Sequence, residues 1–147
     1  MKIKFFGQHS RNIDIKNRIA LPSQYRNVLG NRFFILIGID GHPEIRSEES
    51  INSFFESLDR QSVFDAKVRI LRRTLFGSSQ EIELDAQGRF IIPKLYMEKG
   101  AFQKEILFIG SGDYIELWDP KTYEEYEKQF DTDKIVAAAQ SLADGEK

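Results

Sequence analysis

One segment occurs twice, and that repetition constrains the fold more than any other feature of the chain. Asn12-Ile-Asp-Ile-Lys-Asn-Arg-Ile-Ala-Leu-Pro22 and Glu83-Leu-Asp-Ala-Gln-Gly-Arg-Phe-Ile-Ile-Pro93 share one grammar. In both, an apolar residue precedes an Asp, an Arg stands four places after the Asp, three apolar or small residues follow, and a Pro closes the run. Asp14 matches Asp85, Arg18 matches Arg89, Pro22 matches Pro93 and Tyr25 matches Tyr96, all at a spacing of 71 residues. The chain therefore contains one structural unit in two copies.

The pattern has a physical reading. Ile13 and Leu84 end strand-like runs, while Ile19 to Leu21 and Phe90 to Ile92 read as new strands. The polar Asp-x-x-x-Arg link between them is a tight turn. Its fourth position is Asn17 in one copy and Gly88 in the other, the residue types that best tolerate a left-handed backbone. In such a turn the Asp carboxylate accepts backbone N–H groups, and the Arg projects from the start of the next strand. Each copy is thus expected to present a fixed guanidinium.

Composition bounds the rest. At 147 residues the chain can bury a real core, and the repeat favours two small halves over one large unit. There are no cysteines and only two histidines, His9 and His42, which excludes disulfides, thiolate sites and an imidazole metal cluster. No cofactor or metal is expected. The longest apolar run, Phe33 to Ile39, is too short to span a bilayer, and the N-terminus lacks a secretory pattern. A cytoplasmic protein is expected.

The net charge of −2 argues against a polyanionic partner, but its distribution does not. Residues 1–46 hold eight Lys/Arg against three Asp/Glu, whereas residues 119–147 hold eight acids against four bases. Residues 62–76 add Lys67, Arg69, Arg72 and Arg73 against Asp65 alone. Fields act locally, so the average sign decides little.

In chain order, an edge strand is expected over residues 2–7, ended by Gly7 and followed by the polar His9-Ser-Arg-Asn12. Pro22 fits the first position of a short helix through Leu29, with Gly30 as a left-handed cap. Pro93 and Gly100 repeat this in the second copy. Phe33–Ile39 reads as a strand buried on both faces, with Glu105–Gly110 as its counterpart. Asp40–Pro43 and Ser111–Asp113 read as turns, and Glu44–Arg46 and Tyr114–Trp118 as returning strands, so that Gly38 matches Gly110 and Glu44 matches Glu116. Ser47 and Asp119 announce helices, to about Leu58 and toward Phe130. A basic helix over Ser62–Leu75 joins the halves, with Val68, Ile70, Leu71 and Leu75 inward. Lys134–Leu142 can be helical, and Asp144–Lys147 is expected to fray.

Phe5-Phe-Gly7, Asp14–Arg18, Pro22–Arg26, Arg73-Thr-Leu-Phe76, Asp85–Arg89 and Gly112–Trp118, in this order and spacing, resemble the MraZ family. These are tandem-repeat relatives of the AbrB/SpoVT swapped-hairpin DNA-binding proteins, and the resemblance covers roughly residues 3–127. It implies an α+β fold of two pseudo-symmetric repeats of short strands, each followed by helices and packed as one compact unit. Repeat one spans 5–50, connecting helices 51–75, repeat two 76–122 and a helical tail 123–147. It further implies a nucleoid-associated transcription regulator that binds direct repeats of short boxes in double-stranded DNA of its own promoter, usually in the division and cell-wall cluster. Family members form homo-oligomeric rings, commonly octamers. DNA binding is attributed to the Asp-x-x-x-Arg segments, which carries over to Asp14, Lys16, Arg18, Asp85 and Arg89. Asn17 replaces the usual Gly, and Ala86 stands where a Lys is frequent, so the two copies should contribute unequally.

A lone Asp-x-x-x-Arg reads as a solvated turn with a surface ion pair worth little. Duplication is what changes that reading. The basic residues 67–73 equally fit the wet side of an amphipathic helix. Phe33, Phe34, Phe54, Phe55 and Trp118 read as core or subunit interface rather than base-stacking platforms. No nucleophile–base pair or metal constellation can be assembled, so an enzyme is not expected. The competing class is an antitoxin-like scaffold whose hairpins meet a protein partner.

Overall fold

The computed structural model describes residues 3–145. The first copy forms strands β1 (Gln8–Asn12) and β2 (Arg18–Ala20), helix α1 (Ser23–Leu29), and strands β3 (Arg32–Ile37) and β4 (Pro43–Arg46). The second copy forms β5 (Gln80–Glu83), β6 (Arg89–Ile91), α4 (Lys94–Lys99), β7 (Glu105–Gly110) and β8 (Ile115–Trp118). Between them lie α2 (Glu48–Asp59) and α3 (Ala66–Gly77), and after them α5 (Pro120–Glu127) and α6 (Thr132–Gly145).

The copies are interleaved rather than side by side. The larger sheet runs β1-β7-β8-β4-β3-β5, and β2 pairs with β6 in a separate ribbon. Each edge strand therefore belongs to the other copy's hairpin: β1 lies on β7 and β5 lies on β3, both antiparallel. The order is pseudo-symmetric about the β4–β8 junction, where Glu44 faces Glu116 and Ile45 faces Ile115. This is the swapped-hairpin α+β arrangement within one chain.

One core serves both copies. Phe5, Ile19, Tyr25, Phe33 and Ile35 of the first copy pack with Phe90, Tyr96, Ile106, Phe108 and Ile115 of the second. Burying each such side chain contributes about 1.5–3 kcal/mol, so neither half retains a core without the other. β3 is covered on both sides as its sequence implies. Phe33 and Ile35 enter the shared core, while Leu36 enters a smaller cluster with Ile51 of α2 and Leu75 of α3. Phe33 and Trp118 are buried, and Phe34, Phe54 and Phe55 pack around the smaller cluster, as expected of core aromatics.

Several local expectations are corrected. The N-terminal strand is Gln8–Asn12, not residues 2–7, of which Lys2 lies outside the described residues. Polar side chains suit β1 because its alternating exposed and half-buried positions sit at a sheet edge. Phe5 instead makes an isolated bridge to Gly112, and Gly7, with φ 79°, bends the chain into β1. Pro22 and Pro93 precede their helices as caps rather than opening them. Gly30 has φ 74°, but Gly100 is right-handed and Ala101 takes the positive φ of 52°. Gly100 is needed for another reason, since the Phe102 ring lies where its Cβ would be.

The connecting helix starts at Ala66, because Asp65 caps it by accepting from Lys67 N–H at 2.9 Å. Val68 and Leu75 point inward, but Ile70 and Leu71 do not. α5 ends at Glu127, short of Phe130, and α6 runs through Asp144 to Gly145, where fraying is expected from the sequence; Glu146 and Lys147 lie outside the described residues.

Candidate nucleic-acid interface

The two Asp-x-x-x-Arg turns have one construction. Asp14 N–H donates to Arg18 O at 2.9 Å and Asn17 N–H to Asp14 O at 3.0 Å. In the second copy Asp85 N–H donates to Arg89 O at 2.8 Å and Gly88 N–H to Asp85 O at 3.0 Å. Asn17 and Gly88 have φ of 59° and 75°, the left-handed conformation expected at the fourth position. One oxygen of Asp14 accepts from the backbone N–H of Lys16 (2.9 Å) and of Arg18 (2.8 Å). Asp85 does the same with Gln87 and Arg89, each at 2.9 Å.

The second carboxylate oxygen holds the arginine. Arg18 Nε donates to Asp14 at 2.7 Å, and Arg89 Nε to Asp85 at 3.2 Å. Gripping Nε leaves the four Nη donors, of which Arg89 Nη2 makes only a long 3.5 Å bond to Gln87 Oε1, and that outer fork can still bind phosphate or a guanine edge. The Arg18 and Arg89 backbone N–H groups are the main reason that both carboxyls sit below the usual Asp range, with the side-chain pairing adding to it. Both aspartates therefore stay ionised well into acid.

The ribbon then brings the two arginines together. Arg18 faces Ile91, Ile19 faces Phe90 and Ala20 faces Arg89. Ile19 and Phe90 point into the core, which puts Arg18, Ala20, Arg89 and Ile91 on the outward face. Arg18 and Arg89 are diagonal neighbours there, a relation that spans roughly 7–8 Å. The ribbon is extended at both ends by hydrogen bonds across the copies: Ile92 N–H donates to Asn17 O at 2.9 Å, and Leu21 N–H to Gly88 O at 3.0 Å. Each turn is thus clasped by the other copy's strand.

Both arginines line one open groove of about 450 Å³, together with Glu81, Glu83, Asp85 and Ile91. Glu81 is engaged by Arg32, which offsets one of the acids on that wall. Lys16 stands exposed at the tip of the first turn beside a fully exposed Ile15. The structure thus brings Asp14, Arg18, Asp85 and Arg89 to one ribbon face, with Lys16 at its end. The basic helix α3 supplies less free charge than its sequence suggests, because Arg72 pairs with Asp59 and Arg69 donates to Val63 O at 2.8 Å.

Three features escaped sequence reasoning. The clasp between turns has no signal beyond equal spacing. Arg26 of α1 lies against the second turn, and a Cβ on Gly88 would stand 2.6 Å from its Nη1. Behind the sheet centre, Arg46 is buried between the rings of Phe54 and Tyr114, donating to Glu44 at 2.8 Å and to Ser50 at 3.0 Å. The match of Glu44 to Glu116 was the available hint, and nothing marked Arg46 as its partner.

Interleaved repeats that place two aspartate-held arginines on one ribbon define a tandem swapped-hairpin protein, and an α+β scaffold presenting cations rather than a catalytic centre. The sequence comparisons agree. The chain matches the family described as "MraZ protein, putative antitoxin-like" over residues 5–74 and again over 75–144, and it belongs to that family. It is 34% identical over 137 residues to the transcriptional regulator MraZ of Mycoplasmopsis pulmonis, covering 93% of each chain. Its counterpart in Mycoplasmopsis synoviae is 42% identical over 123 residues, covering 81% of this chain and 84% of that one. That of Mesoplasma florum is 30% identical over 142 residues, covering 96% and 97%. The relatives carry the name of a regulator, which is not an enzyme class. No helix among the described residues is long and apolar enough to cross a membrane.

Proposed function

We propose that this chain is a sequence-specific DNA-binding transcriptional regulator acting on repeated short boxes in its own promoter, within a division and cell-wall gene cluster. Arg18, Arg89 and Lys16 contact phosphates and guanine edges, while Asp14 and Asp85 hold the turns. The observation that carries the reading is the placement of Arg18 and Arg89 on one ribbon face, each fixed through Nε by its own aspartate. A carboxylate aimed at phosphate would be repelled, so the inward engagement of both aspartates supports their positioning role.

A good bidentate base contact supplies only about 1–3 kcal/mol of discrimination, so one ribbon is a weak reader. Specificity then comes from several ribbons on a homo-oligomeric ring, an octamer by family resemblance, engaging direct repeats together. Such a regulator acts at the nucleoid.

Mobility shift against the DNA upstream of its own gene tests the reading. Binding is expected to weaken steeply with salt, as counterion release requires, despite the acidic net charge. The family description favours one competitor, an antitoxin-like scaffold for a protein partner. A pulldown with and without nuclease separates the two, since loss of the captured material after nuclease supports DNA and its retention supports a protein.

A further inference from the structure

We propose that Arg26 is an additional phosphate-contacting residue, supplied by the first repeat to the DNA-contact turn of the second; this rests on the DNA-binding reading above. The two turns are unequally provided with charge. Beyond its arginine, the first turn carries Lys16, while the second has Ala86, Gln87 and Gly88. With the spacing of 71, Gln87 occupies the place of Lys16. Within its own segment the second turn has no cation other than Arg89.

Arg26 fills that gap in space. It sits on α1, which follows β2 after the capping Pro22, and its side chain lies over Gly88 of the second turn. A Cβ on Gly88 would lie 2.6 Å from Arg26 Nη1, 3.1 Å from Cζ and 3.4 Å from Cδ. Glycine here is thus favoured by φ of 75°, and its missing side chain leaves the space in which the guanidinium rests. The first turn shows the converse. Asn17 carries a side chain, and the counterpart of Arg26 is Met97, which packs against the shared core.

The guanidinium is also uncommitted. Arg18, Arg32, Arg46, Arg72 and Arg89 each have a carboxylate partner. Arg26 is half-buried, and among the described residues no hydrogen bond or ion pair engages its side chain. A purely structural arginine packed on a turn would be expected to hydrogen-bond the turn's carbonyls, and among the described residues the Arg26 guanidinium bonds none of them, Gly88 O accepting from Leu21. What remains is a held cation with free donors beside the second motif, the complement of an anionic oxygen on the DNA backbone.

The test compares full-length wild type, Arg26→Gln, Arg26→Gln/Gln87→Lys and Arg89→Ala on the same upstream DNA across 50–200 mM salt. Arg26→Gln should make log K against log salt shallower by about 0.9 for each Arg26 engaged, roughly a 3.5-fold narrowing over that range per contact. Gln87→Lys, which places a cation where the first turn has Lys16, should restore the slope. An unchanged slope in Arg26→Gln overturns the proposal. So does weaker binding that accompanies a lower Tm or changed oligomer size and is not rescued by Gln87→Lys, for that is a structural arginine. If Arg89→Ala also binds like wild type, the DNA-binding reading itself fails. If only Arg26→Gln does, that reading stands.

Discussion

A single carboxylate in each turn closes the loop and aims the arginine, so Asp14 and Asp85 carry most of the local design. Their folded-state pKa values are depressed below 3.8, chiefly by the arginine backbone N–H. The turn is therefore stabilised at every pH above the unfolded value, and this contribution is lost as pH falls through the folded value. Carboxyl-carbon NMR shifts should titrate for both residues with midpoints below 3.8, and midpoints at or above it would contradict the capping role. Asp85→Ala should weaken DNA binding without touching DNA itself, with Asp85→Asn intermediate because it keeps an acceptor oxygen. Equal binding by all three in mobility shift would show that the carboxylate positions nothing. Another residue-scale case is Tyr96, whose hydroxyl donates to Ile35 O at 3.2 Å and also to Ser78 O, and whose burial pushes its pKa up to about 12. Native stability should decline as pH rises from 10 toward that value, since the unfolded phenol ionises first. Tyr96→Phe should cost about 1 kcal/mol in denaturant unfolding, the usual worth of such a bond.

At the scale of elements, the turns and the returning strands were legible because each carries its own chemistry. Asn17 and Gly88 announce positive φ, and Phe33–Ile39 announces a doubly covered strand, which holds for β3 through Ile37, while Ile39 lies exposed in the turn beyond it. Boundaries decided by tertiary neighbours were not legible. β1 is polar and becomes a strand only because β7 offers it a ladder, and Gly100 caps α4 in a right-handed conformation, its missing side chain answering to Phe102. Gly88→Ala should destabilise by about 1–2 kcal/mol from backbone strain at its φ of 75°, and it should displace the Arg26 guanidinium. Asn17→Gly should stay within about 0.5 kcal/mol of wild type. Equal melting shifts for the two would refute the asymmetry between turns. The β4–β8 junction makes a larger prediction. Glu44 is buried and its pKa is raised by desolvation, with Arg46 holding it down and Glu116 opposing. A raised folded-state value means that stability falls as pH rises from 4.5 through that value. Arg46→Met leaves Glu44 buried without its cation, which should cost about 3–5 kcal/mol at pH 7 and lower Tm by about 10–16 °C. The deficit should shrink on acidification and in Glu44→Gln/Arg46→Met. A loss independent of pH and unrelieved by Glu44→Gln would mean that Arg46 acts only through packing on Phe54 and Tyr114.

For the whole molecule, duplication in the sequence becomes exchange in the fold. Repetition was readable from the spacing of 71, but nothing local says that β1 must join β7 or that each turn's carbonyl is capped by the other copy. Pairing partners far apart in sequence are chosen by the complementary faces they bury, and such faces are mutual properties. Residues 1–75 alone should accordingly not yield a folded monomer, since they lack β5 for β3 and β7 for β1. A cooperatively melting monomeric half in sedimentation and calorimetry would contradict the interleaved core. Exchange also matters for the proposed interface, because it locks both arginines to one ribbon that cannot form from one copy. The measurement that tests the central claim most directly is binding of Arg18→Ala, Arg89→Ala and the double variant to the upstream DNA, with circular dichroism, Tm and oligomer size recorded on the same samples. Each single variant should bind far more weakly than wild type, and the double variant should show no specific shift, all with fold and assembly unchanged. A folded double variant that binds as tightly as wild type would contradict the account.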